Sequence, residues 1–233
     1  MSNGKTTGRD ALTFKITKEE EISGIAGGIL KGVWYYITAK ADATLLPDSV
    51  SVGRAFLCSK AVAALAEGDT VVPLTLSLLG FVRDKQLDSS KTVTDATTDI
   101  DDTTDYVSDG LVAKTGSLNG MDVIDTPTAI LKAEFQHTIT ATAAATAGEE
   151  DTIAETPIST PKELIMIDWG GREHVDGDPI SVDIEPVIFT AMSQGASYGG
   201  VKTLNFNYTV VADDGEGCKP THFAGPFRAV EAA

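Results

Sequence analysis

Apolar and polar residues alternate with period two in several segments, the pattern of strands with one face buried. Between residues 11 and 17, Leu12, Phe14 and Ile16 share a face. In Val71–Leu79, Val72, Leu74, Leu76 and Leu78 do the same, and Pro73 marks an edge or a bulge because it has no N–H for a ladder. From Val182 to Phe189, Val182 and Ile184 oppose Asp183 and Glu185. The plainest case is Lys202–Val210, where Leu204, Phe206, Tyr208 and Val210 oppose Thr203, Asn205, Asn207 and Thr209. That second face is polar but uncharged, suited to water or to a partner. Two runs, Val33–Thr38 and Leu164–Trp169, are apolar on both faces and need cover on both. The cover is a helix, a second sheet or a neighbouring subunit. Trp34, Tyr36, Ile165 and Ile167 are therefore candidate subunit contacts, set against burial within the protomer.

One helix is expected: Thr126 as cap, Pro127 in the first turn, and Ala129–Phe135 after it, with Ile130, Leu131 and Phe135 as a narrow apolar stripe. It would lie over an open side of a sheet. Ala55–Ala66 reads either as helix or as a strand running into a short link before Glu67–Asp69. Gly24–Gly32 and Gly195–Gly200 read as flexible loops, and Thr138–Ile153 as a strand with an exposed loop. Residues 1–10 and 213–233 show no strong period and are expected to be flexible. With no internal repeat and no linker, residues 1–233 are expected to form one domain. The fold class is mainly β: an antiparallel β-sandwich or barrel with one flanking α-helix.

Composition agrees. Hydrophobic residues make up 42% of the 233, enough for one sizeable core. Cys58 and Cys218 are the only cysteines, too few and too far apart for a disulfide scaffold. The N-terminal residues contain no apolar stretch of a secretory signal, and no run reaches the ~18 apolar residues of a membrane-spanning helix. A soluble protein made in a cytoplasm is expected. The Asn207–Thr209 sequon then carries no meaning.

Charge changes the picture. There are 34 acidic and 18 basic residues, a net charge of −16. Asp95, Asp99, Asp101, Asp102, Asp105 and Asp109 concentrate in one Thr-rich segment with no Lys or Arg between Asp95 and Gly110. Such a surface repels polyanions over a Debye length of about 8–10 Å at physiological salt. No basic patch with interleaved aromatics points to nucleic-acid binding.

Chemical motifs do not develop. A phosphate loop needs Gly-Lys-Ser/Thr, whereas Lys31 is followed by Gly32 and Val33. The Asp cluster has carboxylates for calcium but lacks the central Gly and closing Glu of an EF-hand, so a solvated acidic face is the simpler reading. His137, His174 and His222 stand at no metal-pair spacing, and no Gly-x-Ser-x-Gly nucleophile elbow occurs. The expectation is a non-enzyme with no cofactor and no metal.

Three blocks, in order and spacing, carry a resemblance: Leu46–Phe56, Asp105–Gly120 with the helix soon after it, and Asp178–Thr190 running into Val201–Val211. Together they resemble the major tail tube proteins of long, non-contractile (siphovirus-type) phage tails. The resemblance implies a sandwich or barrel with a flanking helix, forming hexameric rings that stack into a tube. It implies a lumen holding DNA and the tape-measure protein, a tail terminator as partner, and a place in the virion tail after assembly in the host bacterial cytoplasm. The family has no catalytic residues to carry over. Its tubes often have an acidic lumen, for which Asp95–Asp109 is the candidate here. Ring-to-ring contacts are expected from the Gly24–Gly32 loop, the acidic segment and the C-terminal tail. Two other readings stay open: an adhesion or decoration module whose Asp cluster holds calcium, and a secretion-system tube subunit.

Overall fold

A computed structural model of the chain describes residues 11–95, 106–123, 125–136, 138–142, 152–156, 161–170, 174–196 and 198–230. The strands are β1 (Leu12–Lys18), β2 (Ile22–Ser23), β3 (Trp34–Ala39), β4 (Ala55–Leu57), β5 (Thr70–Leu78), β6 (Val82–Asp95) and β7 (Tyr106–Met121). The helix α1 (Thr126–Ala133) follows, then β8 (Thr138–Thr142), β9 (Thr152–Thr156), β10 (Glu163–Asp168), β11 (Pro179–Gly195), β12 (Thr203–Val210) and β13 (Thr221–Pro226). The protein is mainly β, and every strand pair is antiparallel.

One sheet runs β4-β3-β5-β1-β10-β11-β12-β7-β6, with β13 added to β11 and β2 to β5; β8 and β9 form a separate hairpin. The long strand β11 joins the halves of this sheet. Its first residues pair with β10 on one side and β13 on the other, and from Val187 onward it pairs with β12. A register shift between Phe189 and Ala191 marks the changeover region. Such irregularities bend and twist a strand.

The doubly apolar runs are walls between cores. In β10, Leu164 and Met166 pack with Ile16, Trp34, Tyr36, Val72, Leu74 and Val182, while Ile165 and Ile167 join Phe81, Leu118, Phe189, Leu204, Phe206 and Tyr208. In β3, Trp34 and Tyr36 face the first of these clusters, and Tyr35 and Ile37 face a third with Ile29, Phe56, Leu65 and Val71. This corrects the reading of Trp34, Tyr36, Ile165 and Ile167 as subunit contacts. They are 6%, 3%, 0% and 0% exposed in the isolated chain, so the chain itself supplies the cover. Each fully buried side chain of this size contributes about 1.5–3 kcal/mol.

The C-terminal segment is corrected too. Residues 213–230 are built into the structure: β13 pairs with β11 from Pro179↔Pro226 to Ile184↔Thr221, Cys218 is buried, and Phe223 packs edge-on against Trp34 with ring centroids 5.2 Å apart. Only Phe223 is large and apolar within β13, so the ladder, rather than its own pattern, makes this segment a strand. Residues 1–10, the other expected flexible segment, lie outside the described residues.

Smaller adjustments have local causes. Asp125, not Thr126, caps α1: its Oδ1 accepts from the Thr128 N–H at 2.7 Å, leaving Thr126 and Pro127 inside the first turn. Leu131 is buried and Phe135 lies 5.8 Å from Phe206, whereas Ile130 is 47% exposed. Pro73 is not at a sheet edge. It sits where the β5 ladder passes from β1 to β2, and the register shifts by one residue between Lys18↔Leu74 and Ile22↔Val71. The strand alternative holds for Ala55–Leu57, after which the chain is irregular to Asp69 apart from an Ile29–Val62 bridge. That bridge also anchors half of the Gly24–Gly32 loop. A Cβ on Gly28 would stand 2.4 Å from the Val62 carbonyl oxygen, so only glycine allows the approach.

Candidate assembly surface

The strands β6 and β7 pair from Val82↔Gly120 to Asp95↔Tyr106, yet β12 accompanies β7 only from Thr115 to Met121. Beyond that point Ser89–Asp95 and Tyr106–Lys114 form a two-stranded ribbon whose outer edges are unpaired among the described residues. At about 3.4 Å per residue it reaches about 24 Å past the sheet. Its first strand reads Ser-Ser-Lys-Thr-Val-Thr-Asp, with Val93 its only apolar side chain. A two-stranded ribbon by itself is marginal in water. A bulge sets Asp109–Leu111 against Thr92 and twists the ribbon.

The acidic segment belongs to this ribbon. Asp95 is its last paired residue on β6 and Asp109 lies in the β7 bulge. Asp99, Asp101, Asp102 and Asp105 lie outside the described residues, between these strands in sequence.

The root of the ribbon is locked by groups that the sequence pattern did not single out. Lys114 Nζ lies 2.5 Å from Oε1 of Glu185, which is fully buried on β11. Burial raises the Glu185 pKa, and the Lys114 ammonium opposes the rise. The alternation placed Asp183 and Glu185 on a polar face; the structure buries both, at 8% and 0% exposure, with Trp169 and His222 meeting Asp183 and Lys114 meeting Glu185. Asp183 accepts from Trp169 Nε1 at 2.6 Å and meets His222 Nδ1 at 2.9 Å. Tyr208 donates its hydroxyl to the Gln86 carbonyl at 3.1 Å, passing beneath β7 to reach β6. Burial drives its pKa upward. Gly116 makes that passage possible, since a Cβ there would stand 2.3 Å from the Tyr208 ring and from the Gln86 carbonyl oxygen. A glycine opposite a large residue on a neighbouring strand was the one available signal.

The edge of β6 nearer its start carries mixed charge. Arg83, Asp84, Gln86 and Asp88 are exposed, and Lys85 donates to the Ala11 carbonyl. Mixed charge of this kind discourages indiscriminate edge pairing while leaving selective pairing open. Among the described residues the β8–β9 hairpin has no strand partner in the large sheet, and its Ile153 is 72% exposed.

His174 Nε2 meets Asp168 Oδ2, at the end of β10, at 2.8 Å. Cys58 and Cys218 are buried, and burial pushes the Cys218 thiol up to about 12. Among the described residues no group of three or more His, Cys, Asp or Glu is arranged to hold a metal ion, and no helix is long and apolar enough to cross a membrane. No protein-family model matches the chain, and a search of curated proteins finds no match.

Proposed function

We propose that this protein is a structural subunit that completes its sheet with copies of itself, forming rings that stack as a phage-type tail tube. The observation that supports the reading is the β6–β7 ribbon: two strands that run past β12 with outer edges unpaired among the described residues, rooted in a packed core. Strands with unpaired edges gain stability when those edges are paired, and head-to-tail pairing between identical copies closes a ring when the rotation permits. The ribbon also bears the ends of the acidic segment. In a closed ring, a wall rich in Asp and Thr repels phosphate, so DNA passes without the Lys–phosphate contacts that would retain it. The tape-measure protein and a tail terminator are the partners this role requires, and the virion tail is its location.

Sedimentation and negative-stain microscopy across a concentration series test the reading. Rings or tubes are expected from the intact chain, with shortening of the ribbon (removal of 96–105 together with Val93–Asp95 and Tyr106–Ser108) leaving a folded monomer. An intact chain that stays monomeric at every concentration and salt condition contradicts it.

A further inference from the structure

In a chain with net charge −16, one surface pocket is basic. It has a volume of about 340 Å³ and is lined by Arg54, Lys114, Val210, Val211, Ala212, Lys219 and Pro220. Lys114 spends its charge on the buried Glu185 beneath it. Arg54 and Lys219 have no carboxylate within ion-pairing distance among the described residues. The nearby acids are already engaged: Asp213 pairs with Lys162 at 3.4 Å, and Asp214 with Lys18 at 2.6 Å.

The pocket is held in shape by the backbone. The Lys219 N–H donates to the Gly53 carbonyl at 2.7 Å, which brings Lys219 beside Arg54. Gly53 has φ +84°, and a Cβ there would stand 2.7 Å from the Gly217 carbonyl and 3.2 Å from Cδ of Lys219. The missing side chain is what lets the aliphatic stem of Lys219 lie across this turn. The buried Glu185 fixes Lys114 from below, and its Oε2 has no hydrogen-bond partner among the described residues.

We infer that this pocket receives an acidic side chain from a second copy of the chain, the Arg54 guanidinium and the Lys219 ammonium holding one Asp or Glu carboxylate between them. The inference rests on the self-assembly reading and specifies one of its contacts. Copies that each carry −16 repel one another, so a stable interface between them needs cations of one copy set against carboxylates of the next. With 34 acids available and only 18 bases, two bases side by side in a shaped pocket, neither of them ion-paired among the described residues, supply that complement. Arg presents a planar fork that matches a carboxylate in two hydrogen bonds, and Lys adds a compact charge.

The test combines charge reversal with zero-length cross-linking of the intact chain. The double variant Arg54→Glu/Lys219→Glu is expected to keep the wild-type melting temperature as a monomer and to lose assembly at concentrations where the wild type assembles. Arg54→Lys/Lys219→Arg is expected to assemble. Carbodiimide treatment of wild-type assemblies is expected to join Lys219 to an Asp or Glu of another copy, identified by mass spectrometry with mixed isotope-labelled protomers. If the reversed variant melts early, the cross-link and Arg54→Gln decide the matter alone. Wild-type assembly with an undiminished charge-reversed variant overturns the pocket contact and leaves the tube reading standing. A reversed variant that assembles normally but no longer retains a DNA oligonucleotide assigns the pocket to phosphate and also overturns it. A wild type that never self-associates removes both.

Discussion

Strand β10 and the outer half of the β6–β7 ribbon are opposites. In β10, Leu164 to Ile167 are buried on both faces, and two separate cores close on the strand from within one chain. In the ribbon, Ser89–Asp95 has almost nothing to bury and pairs with a single neighbour. The first is stable because burial is complete without help. The second is tied down at its root, through Lys114–Glu185 and Tyr208–Gln86. The lesson is that apolar residues on both faces of a strand do not by themselves mark an interface between subunits. The β6–β7 ribbon differs in that it extends beyond its sheet with outer edges unpaired among the described residues.

The comparison can be broken at several points. The largest effect is expected in β10: Ile167→Ala should cost about 2–5 kcal/mol in denaturant unfolding of the monomer, because the site is closed on all sides. A loss under about 1 kcal/mol would mean that β10 is not a wall between cores.

Next comes the attachment of α1 beside β10. Glu134, at the C-terminal end of the helix, is 6% exposed. Burial first, then a hydrogen bond to Glu163, raise its pKa from 4.5 to about 8, while Lys15, bound to Glu163 at 2.6 Å, pulls the other way. The folded pKa lies above the unfolded one, so the protonated form is the one the fold favours. Its stabilisation is complete below pH 4.5 and is lost as pH rises to about 8. The loss should be on the order of 3 kcal/mol. Glu134→Gln should flatten this slope in melts taken from pH 5 to 9. A variant with the same slope as the wild type assigns the pH dependence to another group.

A smaller effect is expected at the ribbon root. Tyr208→Phe removes the hydroxyl that reaches Gln86 and should cost about 1 kcal/mol, with faster amide exchange in β6 than in β10. Uniform acceleration in both strands would show that the root and the core open as one unit. The smallest effect on monomer stability belongs to Asp99, Asp101 and Asp102. Replacing all three with Lys should move monomer stability by about 0.5 kcal/mol or less and leave assembly intact, but slow DNA ejection from particles built with the variant. Unchanged ejection and infectivity would remove the acidic segment from the channel wall.

Several elements were legible in the residues. Strands β1, β5 and β12 carry their apolar alternation openly, and Pro127 with the stripe that includes Leu131 announced α1. The β13 strand was not legible, because its partner β11 supplies the order that its own residues lack. The ribbon was only partly legible: its acidity stood out, but Ser, Thr and Lys show no face to a periodicity argument. The root contacts were the least legible. Lys114 lies 71 residues from Glu185 and Tyr208 lies 122 from Gln86, separations at which local pattern carries no information.

By itself, the order of residues determined that this chain is an acidic β protein with one helix, because alternation and capping act over a few neighbouring positions. Tertiary structure alone decided which apolar strands are interior walls, which carboxylates are buried, and which ribbon stands clear of the sheet. Those outcomes depend on register and closure between strands distant in sequence, where one residue of slip exchanges the buried face for the exposed one.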